Sequence, residues 1–179
     1  MGNFYTRKGD KGKSYVGKKS VSKTCLEIEA LGQLDELNSM LGLLKSQKIT
    51  KNLKKIVHGV QESLFTIQSH VANIMLDEKF KVPGFDKLKV EELEGVIDAI
   101  EKKLEPVKKF IISGANQTSA WLDLLRAKSR NVERSVLRIE QIDKLKPEIK
   151  AYLNRLSSLF FALARQEARG HKEKNPSYK

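Results

Sequence analysis

The stretch LEIEALGQLDELNSMLGLL, residues 26–44, decides the fold class of this chain. Its periodic apolar residues recur at steps of four and three: Ala30, Leu34, Leu37, Leu41 and Leu44. This spacing brings apolar side chains onto one face of an α-helix and leaves most charged residues on the opposite face. The stretch therefore predicts an amphipathic helix that packs its apolar face against other helices.

The same periodicity predicts four further helices. The second carries Leu53, Ile56, Val60, Leu64, Ile67, Val71 and Ile74, and the third carries Val90, Leu93, Ile97, Ile100 and Leu104. The fourth is marked by Trp121, Leu125, Val132, Val136 and Ile139, and the fifth by Ile149, Leu153, Leu156, Phe160 and Leu163. Pro83 and Gly84 separate the second helix from the third, Pro106 should stop the third, and Pro147 should begin the fifth. Five helices with no alternating strand pattern predict an all-α, up-and-down bundle.

Length and composition indicate one domain. The chain has 179 residues, of which 40% are hydrophobic, enough for a core that needs neither disulfides nor metal. We expect a single domain over 1–179, with a basic loop over 1–22, the helical bundle over 26–170 and a flexible tail over 171–179. A single cysteine, Cys25, the lack of a secretory signal and the lack of an apolar run of ~20 residues predict a cytoplasmic protein without a membrane span.

The net charge is strongly positive, +12 at pH 7, with an isoelectric point near 9.7. Nucleic acid, anionic lipid and a nucleoside triphosphate are all electrostatically acceptable partners. Many lysines fall where helix surfaces should lie, which is typical of a solvated face. Charge alone therefore does not select a partner.

The N-terminal run of residues 5–14, YTRKGDKGKS, combines glycines, hydroxyls and four cations. Such a run suits a backbone cradle for phosphate oxygens. It is not a Walker A motif, because Arg7 stands where that motif needs its first glycine and no strand pattern precedes it. A disordered basic arm is the alternative interpretation.

Helix four presents Arg126, Arg130 and Glu133 on one face, at steps of four and three. Two guanidiniums one turn apart can bind adjacent phosphates, because the planar donors of arginine match phosphate geometry. The alternative is a surface ladder of ion pairs, in which Arg130 pairs with Glu133 or Arg126 with a neighbouring carboxylate. In helix five, Asn154 lies beside an apolar stripe, where either a ligand contact or an ordinary interhelical hydrogen bond would satisfy it.

Several other catalytic classes lack sequence support. His58, His70 and His171 are scattered, and no HxxxH or CxxC pair gives metal-ligand spacing. No serine lies in a nucleophile-elbow sequence. We therefore expect no metal site built from protein side chains alone and no Ser-His-Asp hydrolase.

Taken together, these motifs resemble the PduO-type cobalamin adenosyltransferases. YTRKGDKG at 5–12 and EALGQLDELNS at 29–39 are similar to the family's YTRTGD.G and EA.G.VDELNS. FIISG at 110–114 is similar to FILPGG, residues 126–134 to ARTxxRRAER, and NRLS at 154–157 to NRLSD. The order and the separations fit along nearly the whole chain.

The resemblance implies a ferritin-like five-helix bundle that forms a homotrimer, with each active site between neighbouring subunits. ATP, with Mg²⁺ held mainly by its triphosphate, would bind at a phosphate-binding loop over 1–22 and at helices four and five. The implied ATP-binding residues are Thr6, Arg7, Gly9, Asp10, Lys11, Gly12, Ser14, Lys23, Arg126, Arg130, Glu133 and Asn154. Asp35 is implied to pair with an arginine, Arg126, across the interface.

The resemblance also implies the reaction: Co(I) of reduced cobalamin attacks C5′ of ATP, and triphosphate leaves. Arg126 and Arg130 would stabilise the leaving group, and Asp35 would hold Arg126. Phe110 matches the family's aromatic residue at the lower face of the corrinoid, with Ser113 on the same loop, and would favour reduction of Co(II) by excluding the lower ligand. A flavoprotein reductase is a further implied partner.

The chain departs from the family pattern at Glu27, Ser113, Asn131 and Ser158, and Ala115 replaces a glycine of FILPGG. These departures support one alternative, a non-catalytic bundle that binds ATP or an adenosylated corrinoid as a carrier or sensor. A second alternative treats the positive charge as a nucleic-acid surface. It lacks a reading-helix motif and basic residues interleaved with aromatics, so we expect no nucleic-acid partner and no membrane partner.

Overall fold

The structure is a computed structural model that describes residues 4–76, 80–107 and 109–177, and these contain five α-helices. The helices are α1 (Leu26–Ser46), α2 (Lys51–Ile74), α3 (Lys87–Glu101), α4 (Gln117–Leu137) and α5 (Pro147–Ala168), with a 3-10 turn at Ile142–Lys144 before α5. The predicted five-helix bundle is confirmed. Residues 1–3 of the predicted loop and 178–179 of the predicted tail lie outside the described ranges.

A short antiparallel hairpin precedes the helices, and the sequence did not predict it. Strands β1 (Lys13–Val16) and β2 (Lys19–Ser22) pair through a two-residue connection that begins at Gly17, which has φ 59°. Four-residue strands rich in lysine and serine bury too little apolar surface to show an alternating pattern. Residues 4–22 therefore form a loop followed by a hairpin.

The helices alternate in direction along the chain. Asn116, at the start of α4, donates to a carbonyl near the end of α5, at Glu167, so these two helices are antiparallel. α1 and α4 are antiparallel by the same criterion, and α3 runs parallel to α5 because Phe85, just before α3, packs on Tyr152 near the start of α5. Neighbouring helices in space follow the order α2, α1, α4, α5, α3. With directions that alternate along the chain, this is an up-and-down bundle.

The core consists of the apolar stripes that the sequence predicts, with small shifts at the helix ends. On α2, Val57 is buried where Ile56 was expected, because Ile56 packs at the margin of the core. The third helix ends at Glu101, before Pro106, so Leu104 packs on the core from the following turn. Ile139 is likewise buried just beyond the end of α4.

Side chains define where the helices begin. Thr50 and Asp86 accept hydrogen bonds from the first turns of α2 and α3. Asn116 forms a reciprocal capping box with Ser119 at the start of α4. Within the described ranges, no helix has the length and continuous apolar character that a membrane crossing requires.

Candidate functional site

Arg126 and Arg130 project from α4 without a partner for either guanidinium among the described residues. Arg126 is half-buried and lines a cavity, and Arg130 is exposed one turn further along. The alternative, a ladder of ion pairs, is not formed among the described residues, and Glu133 accepts a hydrogen bond from Asn154. Two adjacent guanidiniums without a described partner have the donor geometry that suits an anion with several oxygens.

Glu133 and Asn154 belong to a hydrogen-bond chain that runs from α4 to α3. Asn154 donates from Nδ2 to Glu133 Oε1 at 2.8 Å, and its Oδ1 accepts from Arg155 at 2.8 Å. Arg155 Nε in turn donates to Glu94 Oε1 at 2.8 Å. The amide is therefore fixed in one orientation, as in the interhelical bond that sequence analysis left open, and Glu133 is held beside Arg130.

Lys128 anchors α4 from the face opposite the two arginines. It is only 8% exposed, donates to Gln33 Oε1 at 2.6 Å and forms an ion pair with Glu36, both on α1. Sequence analysis missed this contact, because nothing in the local pattern links residues that are about a hundred positions apart. The anchor fixes the rotation of α4, and so keeps Arg126 and Arg130 facing outward.

Phe110 and Arg126 border a continuous depression between the α3–α4 connection and α5. A cavity of about 710 Å³ lies along α5 and is lined by residues that include Arg126, Ser157 and Ser158. A neighbouring one of about 500 Å³ is lined by Phe110, and both share Arg126 and Phe161. Phe110 is 77% exposed, and Ser113 lies exposed on the same loop. The depression combines aromatic surface with a cation.

Phe161 is a second residue that sequence reasoning missed in this depression. It follows the buried Phe160 and is 37% exposed on the outer side of α5. The available signal was an aromatic residue one position beyond Phe160 of the predicted stripe, because successive residues of a helix point about 100° apart.

The N-terminal loop forms a set of tight turns closed by Lys23. Gly12 donates to the Gly9 carbonyl at 3.1 Å, and Lys23 N–H donates to the Gly12 carbonyl at 2.9 Å. A Cβ atom on Gly9 would lie 2.9 Å from Lys23 Nζ, so the ammonium rests on this glycine. Arg7 has φ 59°, a region that non-glycine residues rarely adopt and that is often found at binding sites.

The remaining loop residues predicted for ATP lie around these turns. Ser14 is in β1 opposite Val21, and Thr6 Oγ1 accepts from the N–H of Lys8. Asp10 N–H closes a turn on the Arg7 carbonyl at 3.4 Å. The structure thus brings the loop residues together with Lys23, while no hydrogen bond or ion pair joins them to Arg126 or Arg130 in the part of the chain that is described.

Asp35 lies on a different side of the bundle. It is exposed on α1 and lines a shallow depression with Leu31, Phe65, Ser69 and Phe80, and it forms no ion pair with another described residue. Arg126 lines the separate cavity beside α5. Asp35 and Arg126 therefore do not meet inside one copy of the chain.

Metal-binding side chains are not clustered in the described ranges. No group of three histidine, cysteine, aspartate or glutamate residues there is close enough to hold a metal ion. The candidate residues are instead guanidiniums beside aromatic rings, together with the glycine turns of the N-terminal loop, which form no described hydrogen bond or ion pair with them. These residue types fit an anionic ligand with an apolar neighbour.

Comparison with known proteins identifies the family to which the chain is similar. The family model described as cobalamin adenosyltransferase matches residues 4–167. The chain belongs to the cobalamin adenosyltransferase family. The matched range contains the N-terminal loop, Asp35, Phe110, the arginines of α4 and Asn154.

Relatives named corrinoid adenosyltransferases are similar over nearly the whole chain. A corrinoid adenosyltransferase of Citrobacter freundii is 33% identical over 175 residues, which covers 93% of this chain and 96% of that protein. One of Bacillus subtilis is 32% identical over 166 residues, covering 90% of this chain and 84% of that protein. The similarity to corrinoid adenosyltransferases therefore extends over nearly the whole helical bundle.

Solved structures of a PduO-type ATP:corrinoid adenosyltransferase from Lactobacillus reuteri share the fold. A phenylalanine-to-histidine variant complexed with cobalamin and ATP superposes with a TM-score of 0.85 at 28% identity, covering 97% of this chain and 96% of that one. An arginine-to-lysine variant complexed with ATP gives a TM-score of 0.82 at 27% identity, covering 98% of this chain and all of that one (100%).

Proposed function

We propose that this chain transfers the 5′-deoxyadenosyl group of ATP to Co(I) of reduced cobalamin, giving adenosylcobalamin and triphosphate. The observation that carries the proposal is the pair Arg126 and Arg130. Their unused donors stand one helical turn apart beside a depression lined by Phe110 and Phe161. One surface can therefore hold a polyphosphate next to a large apolar ring system.

The reaction needs little from protein side chains beyond alignment and charge stabilisation. Co(I) supplies an electron pair that forms the Co–C5′ bond, while the C5′–O bond breaks and triphosphate leaves with the bonding electrons. Arg126 and Arg130 stabilise the charge that develops on the leaving oxygens, because preorganised donors act where charge accumulates. No general base is required, since no proton is abstracted from the nucleophile.

The N-terminal loop is the proposed second half of the ATP site. Its positive charges and tight turns around Gly9 and Gly12 suit contacts with phosphate oxygens. The residues proposed here are Thr6, Arg7, Gly9, Asp10, Lys11, Gly12, Ser14 and Lys23. Glu133 and Asn154 would contact the nucleoside, and Mg²⁺ would enter with the triphosphate rather than on a protein cluster.

Phe110 is proposed to face the lower side of the corrinoid. An exposed ring beside Arg126 has no packing role that explains its position. An apolar ring at the lower face would exclude water and the corrinoid's own base, and so would make reduction of Co(II) easier. Ser113, on the same loop, is the proposed polar neighbour on this side, and a flavoprotein reductase is the proposed electron donor.

A homotrimer is the proposed assembly, with each site shared by two copies. Asp35 lacks an ion pair in the described chain, lies near exposed Phe65 and Phe80, and does not reach Arg126 of its own copy. Pairing of Asp35 with Arg126 of a neighbouring copy would satisfy both charges and complete the site. We further propose that the enzyme acts in the cytoplasm, where ATP is available.

The test mixes purified protein with ATP, Mg²⁺ and chemically reduced cob(I)alamin. Formation of adenosylcobalamin, followed by its visible spectrum, should match the triphosphate released. The competing function, a carrier or sensor, is supported by the departures at Asn131 and Ser158. Tight binding of ATP with neither product formed would favour the carrier or sensor and refute the enzyme.

A further inference from the structure

The chain after α5 folds back onto the loop that carries Phe110. Ile112 N–H donates to the Lys174 carbonyl at 2.8 Å, and Asn175 Nδ2 donates to the Phe110 carbonyl at 2.8 Å. We call residues 173–175 the tail strand. The described part of the predicted flexible tail thus makes specific contacts with a loop of the proposed site.

Arg165 ties the tail strand to the bundle. Its guanidinium is 6% exposed and donates to both carboxylate oxygens of Asp123 on α4, at 2.7 and 2.8 Å. The same guanidinium forms an ion pair with Glu173 and lies 5.2 Å from the centre of the Phe161 ring. Removing one partner of such a buried ion pair is costly, because the remaining charge loses its compensation.

The position of Phe110 depends on these backbone tethers. The ring is 77% exposed, so packing of its own side chain does little to fix it. Its carbonyl and the N–H of Ile112 are both held by the tail strand, and the tail strand is held through Glu173. Arg165 is therefore connected to Phe110 by an unbroken series of hydrogen bonds and short chain segments.

We propose that Glu173, held by Arg165 and Asp123, is a positioning residue for Phe110. This inference rests on the proposed function, because it assigns Phe110 to the lower face of the corrinoid. Glu173 does not touch the reacting atoms; it fixes the tail strand, which fixes the loop over 110–112. Loss of Glu173 should therefore impair the step that depends on Phe110 and leave ATP binding intact.

The first measurement is amide hydrogen exchange at Ile112 in the full chain without ligands. Glu173→Ala should raise the exchange rate of this amide on the order of tenfold, because a hydrogen bond to a charged group is lost. Glu173→Gln keeps an acceptor oxygen and should retain most of the protection. Glu91→Ala, which removes a surface carboxylate paired with Lys87, is the matched control and should change nothing at Ile112.

The second measurement records the spectrum of cob(II)alamin bound to the protein together with ATP. This spectrum changes when cobalt loses its lower ligand. Glu173→Ala should reduce the fraction without a lower ligand toward the value for Phe110→Ala. The dissociation constant of Glu173→Ala for ATP should stay within about twofold of the value for the unsubstituted protein, because no ATP-site residue is changed. Glu173→Gln should restore the signal.

Unchanged exchange at Ile112 in Glu173→Ala would overturn the proposal, since the tail strand would not hold the loop. Faster exchange with an unchanged cobalt spectrum would overturn it as well, since Phe110 would not depend on the strand. Absence of adenosylation by the unsubstituted protein would overturn the proposed function and the role of Phe110 together. That failure is recognisable, because the exchange at Ile112 would still respond to Glu173→Ala.

Discussion

Asn154 on α5 and Glu133 on α4 are joined by a hydrogen bond of 2.8 Å, three residues along α4 from Arg130. Arg155 fixes the other end of the Asn154 amide, so the pair is preorganised. Asn154→Ala should raise the KM for ATP about tenfold, because Glu133 loses its donor and its orientation. Glu133→Gln keeps an acceptor and should retain this geometry. Steady-state kinetics with varied ATP measure both, and an unchanged KM in Asn154→Ala would contradict the assignment.

Arg130→Ala should lower kcat about 10²- to 10³-fold, because a preorganised donor to the leaving triphosphate is removed. Arg130 is exposed and unpaired in the described chain, so the melting temperature should hardly change. Arg134→Ala is the matched control, since Arg134 is exposed on the same helix and hydrogen-bonds only Asn131 among the described residues. Equal losses in the two variants would show a general charge effect and would remove the specific role of Arg130.

Phe110→Ala should slow turnover that starts from cob(II)alamin and a reductant more than turnover that starts from cob(I)alamin. The aromatic ring is proposed to exclude a lower ligand, which matters when the reaction starts from cob(II)alamin and a reductant. We expect roughly tenfold or greater loss in that assay and a smaller loss with cob(I)alamin. Leu88→Ala, which truncates an exposed apolar residue on α3, should affect neither assay. Equal losses from both oxidation states would assign Phe110 to corrinoid binding alone.

The shared site can be tested by mixing inactive subunits. Asp35→Ala and Arg126→Ala should each inactivate the trimer, but a mixed trimer contains a site that takes both unsubstituted residues. Random mixing in equal amounts leaves roughly three quarters of trimers mixed with one intact site in three, so about a quarter of the activity should return. Refolding the two variants together, with each variant refolded alone as the control, measures this. No recovery would show that Asp35 and Arg126 do not act across an interface.

The periodicity of apolar residues predicted the helices well. It did not predict contacts between residues that are far apart in the sequence. The stripe from Ala30 to Leu44 is fully buried as expected, because a step of three or four suffices to define a helical face. The Arg165–Asp123 pair has no such signal, since its members are 42 positions apart on different helices. The hairpin at 13–22 was missed because its strands are short and polar.

Residue type and helical spacing predicted part of the candidate site, and the family resemblance implied further residues such as Asp35 and Phe110. Arg126 and Arg130 follow from their spacing on one helix, and the structure adds that neither forms an ion pair in the described chain. Asp35 is the opposite case: only the resemblance implied its role, and it forms no ion pair with another described residue of the same copy. A residue whose partner lies on another copy carries no sign of that partner in its own helical pattern.

Tyr152 links the core to a pH dependence of stability. Burial raises the pKa of Tyr152 to about 12, while a hydrogen bond with Ser63 acts in the opposite direction. An unfolded tyrosine has a pKa of about 10, so above that pH the unfolded chain releases a proton that the folded chain retains. The resulting stability is fully present below about pH 10 and is lost as the pH rises through about 12, at up to ~1.4 kcal/mol per pH unit.

Urea unfolding from about pH 9 to about pH 11 should therefore show a steeper loss of the free energy of unfolding in the unsubstituted protein than in Tyr152→Phe. The phenylalanine ring preserves the edge-on contact with Phe85, whose ring centre lies 5.3 Å from that of Tyr152. Lysines titrate in both proteins, so the difference between the two slopes isolates the phenol. Parallel curves would mean that the Tyr152 hydroxyl ionises in the folded protein as readily as in the unfolded chain, which its burial in the core opposes.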